Sequence, residues 1–132
     1  MDAMSPPKPT TATTPTTTTK PEHWQLSAAD AATATLVIPA DAKRERRFEI
    51  ACAITVGVPD EGTAAWLQMT VQANGAKEWQ RRTPAHNPGA WDGLDYRFSR
   101  TVPVAQTLRV TVSVAGQGVR RRSLDIEAEE QV

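Results

Sequence analysis

Residues 107–114 read TLRVTVSV, and residues 48–56 read FEIACAITV. In the first stretch every second side chain from Leu108 to Val114 is aliphatic, and arginine, threonine or serine stands between them. Because successive side chains of a β-strand point to opposite faces, this pattern predicts a strand with one buried face and one wet face. The second stretch also has alanines on its less apolar face, which predicts a strand partly covered on both sides and therefore central in its sheet.

The same alternation recurs along the chain between clusters of Gly, Pro, Asn and Asp, and no long segment has helical periodicity. The pattern predicts an all-β protein, an antiparallel β-sandwich of about seven strands that is immunoglobulin-like in broad architecture. The chain has one cysteine, Cys52, so an intramolecular disulfide is excluded. The predicted strands are residues 34–38, 48–56, 65–73, 76–83, 94–101, 107–114 and 119–128.

Asn74-Gly75 lies between two apolar runs and predicts a β-hairpin, because both residues tolerate positive φ. A two-residue loop in regular register would put Trp79 outside and turn Glu78, Gln80 and Arg82 toward the core. A three-residue loop with a glycine bulge places Trp79 opposite Met69 on the apolar face and turns those polar side chains outward. Burial of a tryptophan is worth roughly 1.5–3 kcal/mol, so we predict the second register.

Residues 5–21 read SPPKPTTATTPTTTTKP and contain no large apolar side chain. Such a stretch cannot bury enough surface to offset the entropy of ordering, so residues 1–23 are predicted to form a flexible or extended arm before a domain at 24–132. In a polyproline-like conformation, at ~3.1 Å per residue, the quoted stretch would reach on the order of 50 Å. Its composition resembles that of linkers in bacterial secreted and surface proteins, which implies a tether.

The composition limits the classes of partner. The 132 residues include 15 Lys or Arg and 15 Asp or Glu, so the net charge is zero and a nucleic-acid partner is not favoured. No apolar run is long enough for a membrane span, and the first twenty residues do not read as a secretory signal. We therefore expect a soluble domain. The pattern leaves its location open between a virion and a cell surface.

A candidate ligand-binding surface lies on the outward face of the predicted hairpin. Trp66 shares that face with Gln68 and Arg82, and a flat ring beside amides and a guanidinium is typical of sugar-binding sheets. Trp91 is the second aromatic candidate, in the predicted loop at residues 83–95. The interpretation favoured for Trp91 is structural, with its ring folded back against the end of the sandwich.

The sequence offers little for catalysis or metal binding. His86, Asn87, Asp92 and Asp95 carry donor atoms, but they lack the spacing of a calcium loop, so we predict no metal site and no cofactor. Cys52 falls in the apolar phase of the central strand, where a thiol is an inert small hydrophobe. No nucleophile elbow, phosphate loop or zinc-hydrolase helix is present. The prediction is that the protein is not an enzyme.

Two basic clusters, at residues 43–47 and 120–122, alternate with or precede acidic residues. This arrangement predicts cross-strand ion pairs on solvated faces. If Leu124, Ile126 and Ala128 face inward, regular alternation would also turn Arg120 and Arg122 inward. The last strand is therefore predicted to bend, bulge or extend beyond the core at that point.

The first functional hypothesis is a non-catalytic structural or interaction module that docks in a larger assembly, a virion, appendage or surface component, through its sandwich and N-terminal arm. Its partner would be a protein. The alternative is a module for carbohydrate or another ligand, tethered by the Thr/Pro linker and using Trp66, Gln68, Arg82 and Trp91.

Overall fold

The computed structural model describes residues 20–59, 64–85 and 89–132. Within these ranges there are eight β-strands and no helix. Most of the predicted arm, residues 1–19, lies outside the described residues, as do His86 and Asn87. The strands are β1 (His23–Ser27), β2 (Thr33–Ile38), β3 (Arg46–Gly57), β4 (Trp66–Ala73), β5 (Ala76–Pro84), β6 (Trp91–Val102), β7 (Leu108–Gln117) and β8 (Arg120–Glu130).

The strands form two antiparallel sheets of four. Sheet I has the order β1-β8-β3-β6, and sheet II has the order β2-β7-β4-β5. The inward side chains of both sheets belong to one buried apolar cluster, so the protein is a β-sandwich, as predicted. Strand β3 is central in sheet I, as its doubly covered pattern predicted.

The strands before and after the turn at Asn74-Gly75 pair with one another in order of their distance from it. Both residues have positive φ, at 50° and 83°, which closes the two-residue loop between β4 and β5. Outward from this turn β3 pairs with β6, β2 with β7 and β1 with β8. Successive pairs enter alternate sheets, and the resulting strand order is that of an eight-stranded jelly roll.

Two details of the predicted fold differ from the structure. An eighth strand, β1, is present because Trp24 and Leu26 alternate with polar residues and pair with the end of β8. The immunoglobulin-like architecture is not confirmed, since the first two strands of that fold share a sheet whereas β1 and β2 lie in different sheets here.

The predicted register of the hairpin is wrong by two residues. The loop has two residues, with Ala73 opposite Ala76, and a bulge at Glu78 then places Trp79 opposite Val71 rather than Met69. Trp79 therefore faces the core, as predicted, but it does so because of a bulge within β5 and not because of a three-residue loop. Glu78 does not turn outward: it accepts hydrogen bonds from the Tyr96 hydroxyl at 3.1 Å and from Arg100 at 2.6 Å, both in sheet I.

The irregularity predicted near Arg122 is present. In the pairing of β3 with β8, Val56 lies opposite Arg121 and Thr55 opposite Ser123, so Arg122 is an extra residue in β8. This bulge lets Leu124 face the core while Arg120, Arg121 and Arg122 all remain exposed. These three arginines lie at one end of the sandwich, and the start of β1 lies at the other end.

Candidate functional site

Three of the four predicted site residues meet on the outer face of sheet II. Trp66 and Gln68 are outward residues of β4, and Arg82 is their neighbour on β5. The Arg82 guanidinium carbon lies 3.8 Å from the centre of the Trp66 ring, and its Nε donates to Gln68 Oε1 at 3.0 Å. Trp66 Nε1 donates to Gln117 on β7 at 3.3 Å. The cluster thus connects three neighbouring strands.

Trp91 lies apart from that cluster. It is the first residue of β6, opposite Gly57, and its phase places it on the outer face of sheet I. Its side chain is 58% exposed, so the interpretation that it folds back to close the sandwich end is wrong. Its neighbours Gly57 and Gly93 have no side chains, and the Arg122 side chain lies over Gly57, with Cδ 3.6 Å from where a Cβ would stand.

The outer face of sheet II is rich in hydroxyl and amide groups. Thr35 and Thr111 share a hydrogen bond of 2.9 Å across β2 and β7, and Thr33 donates to Ser113 at 3.5 Å. Three cationic side chains, those of Lys77, Arg82 and Arg109, lie among these neutral groups. No carboxylate of the described residues lies on this face. We call this surface the basic face; it consists of the outward residues Thr33, Thr35, Val37, Trp66, Gln68, Thr70, Gln72, Lys77, Gln80, Arg82, Pro84, Arg109, Thr111, Ser113, Ala115 and Gln117.

The cations of the basic face have no acidic partner in the described part of the chain. Arg82 is held by Trp66 and Gln68, while Lys77 lies 3.5 Å from the Gln80 amide oxygen. The four strands of sheet II contain a single carboxylate, Glu78, and it is directed to sheet I. The positive charge of this face is therefore not neutralised within it.

The outer face of sheet I has the opposite charge. Three of its carboxylates are engaged: Glu49 with Arg97 at 3.7 Å, Glu127 with His23 at 2.6 Å, and Asp125, which accepts a hydrogen bond from the Ser27 hydroxyl at 2.7 Å. Five carboxylates and two guanidinium groups occupy the part of this surface away from Gly57, which we call the acidic face; its charged members are Arg47, Glu49, Asp95, Arg97, Asp125, Glu127 and Glu129. Two further guanidinium groups, those of Arg120 and Arg122, lie on the same side of sheet I beside Gly57, outside the acidic face. The outer face of sheet II therefore carries net positive charge, and the acidic face of sheet I carries net negative charge.

The edges of the sheets are unsuited to pairing with another chain. Edge strands β1 and β2 are only five and six residues long. Edge strand β5 has the bulge at Glu78 and carries Arg81 in the inward phase, and edge strand β6 carries Arg100 in the same phase. Short strands, bulges and inward-pointing charges all discourage edge-to-edge association.

An ion-pair network at the start of β1 was not foreseen from the sequence. Arg46 is 3% exposed, and it donates to Glu22 at 2.7 Å and to the Pro39 carbonyl at 2.8 Å. Arg44 bonds Glu130 at 2.7 Å and Glu22 at 3.0 Å. The prediction that these ion pairs lie on solvated faces is wrong for Arg46. Its burial could have been predicted from the sequence, because Arg46 stands two residues before Phe48 and so has the same inward phase. The network joins the described start of the chain to β8 and to the loop before β3.

The charges of this network reinforce one another. The hydrogen bond from Arg44 lowers the pKa of Glu130 below its usual value, against the opposing effect of burial. The same contact raises the pKa of Arg44. Both groups are thus ionised at neutral pH, and Glu22, which accepts from Trp24 Nε1 at 3.0 Å, is held between the two arginines.

The residues considered for metal binding do not converge. Asp92 and Asp95 lie on opposite faces of β6, inward and outward respectively. One group of three possible ligands occurs in the described ranges, His23 with Glu127 and Glu129, and all of its members are exposed. Surface carboxylates of this kind need no ion, and the hydrogen bond between His23 and Glu127 already accounts for their closeness.

Cys52 lies in the core. It is 1% exposed, and burial raises the pKa of its thiol to about 12. Since the thiolate is the reactive species, this side chain is poorly suited to nucleophilic chemistry.

Comparison of the chain with protein-family models and with curated proteins finds no match. Among solved structures, dimeric latent PorU from Porphyromonas gingivalis has a similar region with a TM-score of 0.49 and 18% identity. That similarity covers 82% of this chain and 11% of the PorU chain. A likeness of this extent supports no conclusion about function. In the described ranges no helix has the length and hydrophobicity to cross a membrane.

Proposed function

We propose that the protein is a non-catalytic structural or interaction module that docks in a larger assembly through the basic face of sheet II. The observation that carries this proposal is the separation of charge between the two outer faces. Lys77, Arg82 and Arg109 have no ion-pair partner in the described residues, so a partner with surface carboxylates would gain favourable charge contacts there.

The N-terminal segment has a defined role in this proposal. The part of the predicted arm of residues 1–23 that precedes β1 extends from the domain to another subunit, while His23 belongs to β1. The ion pairs of Glu22 with Arg44 and Arg46 support this role, because they fix the root of the arm against the sandwich. A load on the arm would then be transmitted to β3 and β8 rather than to β1 alone.

Fold and chemistry are both compatible with a structural role. Jelly rolls occur in viral capsid domains and in lectins, although a fold does not by itself determine function. The protonated thiol of Cys52 and the separation of Asp92 from Asp95 by the thickness of β6 give no support to a catalytic mechanism. A virion, appendage or surface component remains the assembly we propose.

Site-specific photo-cross-linking tests this function. A photoreactive residue replaces Gln80, which lies exposed on the basic face, in the cells that produce the protein. We expect one discrete adduct, which the charge reversal K77E/R109E abolishes. The matched control places the same residue at Gln106, an exposed position in the loop between β6 and β7, and gives no adduct. Equal labelling from both positions, or none from Gln80, would contradict docking through this face.

The arrangement of the Trp66 cluster favours the carbohydrate-binding alternative in one respect and opposes it in another. Trp66, Gln68 and Arg82 do form a cluster, which is the arrangement that the sequence predicted for a sugar platform. However, the Arg82 guanidinium already occupies one face of the Trp66 ring, and a sugar would have to displace it. Glycan binding that W66A abolishes and W91A preserves would favour this alternative over the docking module.

A further inference from the structure

We infer that the partner of the basic face is the acidic face of a second copy of the same chain, so that the sandwiches stack in a head-to-tail arrangement. This inference rests on the proposed function and names the partner of the same surface. It follows from the chemistry of the two faces, which are complementary to each other in charge and similar in extent.

Unpaired charges occur on both surfaces. On the basic face, Lys77 and Arg109 are exposed and form no ion pair in the described residues. On the acidic face, Asp95 and Glu129 are exposed and likewise have no ion-pair partner there. Stacking would bring these unpaired groups of opposite sign together, whereas contact between two identical faces would oppose like charges.

The shape of the acidic face also fits this contact. Ala51 and Ala53 on β3 leave a shallow depression of about 160 Å³, bordered by Asp95 on one side and Asp125 on the other. Arg97 also lines it, and its guanidinium group pairs with Glu49 at 3.7 Å. A guanidinium group that projects from the basic face of the next copy could enter it and meet carboxylates from two strands. Arginine suits such a position because its planar head matches carboxylate geometry.

The rest of the molecule does not oppose stacking. The chain has zero net charge, so long-range repulsion between copies is absent. The blunted edges leave the faces as the available contact surfaces. Because the two contacting surfaces differ, the interface is heterologous, and repeated stacking produces a ring or an open filament rather than a closed dimer.

The size of the faces predicts a weak contact. Four strands at a spacing of ~4.8 Å, with about eight residues each at ~3.3 Å, cover roughly 500 Å² of flat area. This lies at the lower end of specific interfaces, so isolated copies should associate reversibly, and the arm or other contacts would reinforce the assembly.

Sedimentation velocity of the full chain tests the inference. We expect the weight-average mass to rise above 14.4 kDa as the protein concentration increases from about 10 µM to about 1 mM, the range that reports weak interfaces. The rise should occur at about 0.02 M salt and disappear at about 0.5 M, between which the screening length falls from roughly 20 Å to under 5 Å.

Two charge-reversal variants make the test specific. K77E/R109E gives a molecule with two acidic faces, and D95K/E129K reverses charge on the other surface; each alone should be monomeric. An equimolar mixture of the two should associate again, because each variant then meets a complementary face. K20E/K43E changes the net charge as much as K77E/R109E, but Lys20 and Lys43 are exposed residues outside both faces, and this variant should associate like the unmodified chain.

The outcomes separate this inference from the proposed function. Failure of the mixture to associate when each variant retains its β-sheet circular dichroism would overturn stacking, as would a monomeric unmodified chain at every concentration. If the Gln80 adduct then had a mass that is not a multiple of the chain mass, docking through the basic face would stand with a different partner. Absence of the adduct would remove the proposed function itself.

Discussion

Replacement of Trp79 with alanine should lower the stability of the domain by about 3 kcal/mol, within the usual range for removal of a large aromatic side chain. The Trp79 ring stacks on Tyr96 with centroids 4.6 Å apart and planes 9° apart, and Tyr96 in turn lies 5.7 Å from Phe98. This row of rings joins edge strand β5 of one sheet to edge strand β6 of the other. Its loss opens the side of the sandwich to water.

Thermal unfolding followed by circular dichroism measures the effect, and for a domain of this size the midpoint should fall by about 12 °C. Trp91→Ala is the matched control, because it removes the same ring from a position that is 58% exposed. Its midpoint should change little. Equal midpoints for the two variants would show that Trp79 does not close the sandwich.

Replacement of Arg46 with alanine should also lower stability, by about 2 kcal/mol, because it removes two hydrogen bonds of a buried guanidinium group, one of them to a carboxylate. Arg46 is buried beside Phe48, with its guanidinium carbon 5.5 Å from that ring. The substitution removes its bonds to Glu22 and to the Pro39 carbonyl. Glu22 keeps Arg44, which limits the loss.

Denaturant unfolding of Arg46→Ala and of Arg47→Ala provides the comparison. Arg47 is exposed and makes one contact of 3.2 Å with the Thr101 hydroxyl, so its removal should change the unfolding free energy by less than about 0.5 kcal/mol. A result in which Arg47→Ala costs as much as Arg46→Ala would contradict a structural role for the buried Arg46.

The sequence predicted the parts of the fold that depend on alternation. Leu108, Val110 and Val112 are buried, and β3 is central, because period-two burial is a local property of each strand. Strand β1 was not predicted because five residues next to a Thr/Pro stretch give a weak signal. The jelly-roll order was not predicted either, since the pairing of strands distant in the chain leaves no local pattern.

The register of the hairpin could not be predicted from local sequence rules alone. The sequence contained the two-residue turn and the need to bury Trp79, which conflict in a regular ladder. The bulge at Glu78 resolves the conflict, and it is supported by Tyr96 and Arg100 from the opposite sheet. Those partners lie far from Glu78 in the sequence, so no turn rule identifies them.

The candidate site was predictable only within one hairpin. Trp66, Gln68 and Arg82 lie on paired strands joined by a short turn, and their shared face followed from alternation. The separation of charge between the outer faces was not predictable, because it depends on which strands share a sheet. Lys77 and Arg109 come from β5 and β7, which meet in sheet II through β4.

Lysine footprinting of the assembled protein tests the central claim most directly, namely that the basic face is the covered surface. Lys77 lies on that face, and Lys43 is an exposed lysine in the loop before β3. Acylation of both is measured by mass spectrometry in the assembly purified from the producing cells and in the isolated chain. We predict that assembly lowers acylation of Lys77 at least several-fold and leaves Lys43 unchanged. Equal acylation of Lys77 in both states would contradict the claim.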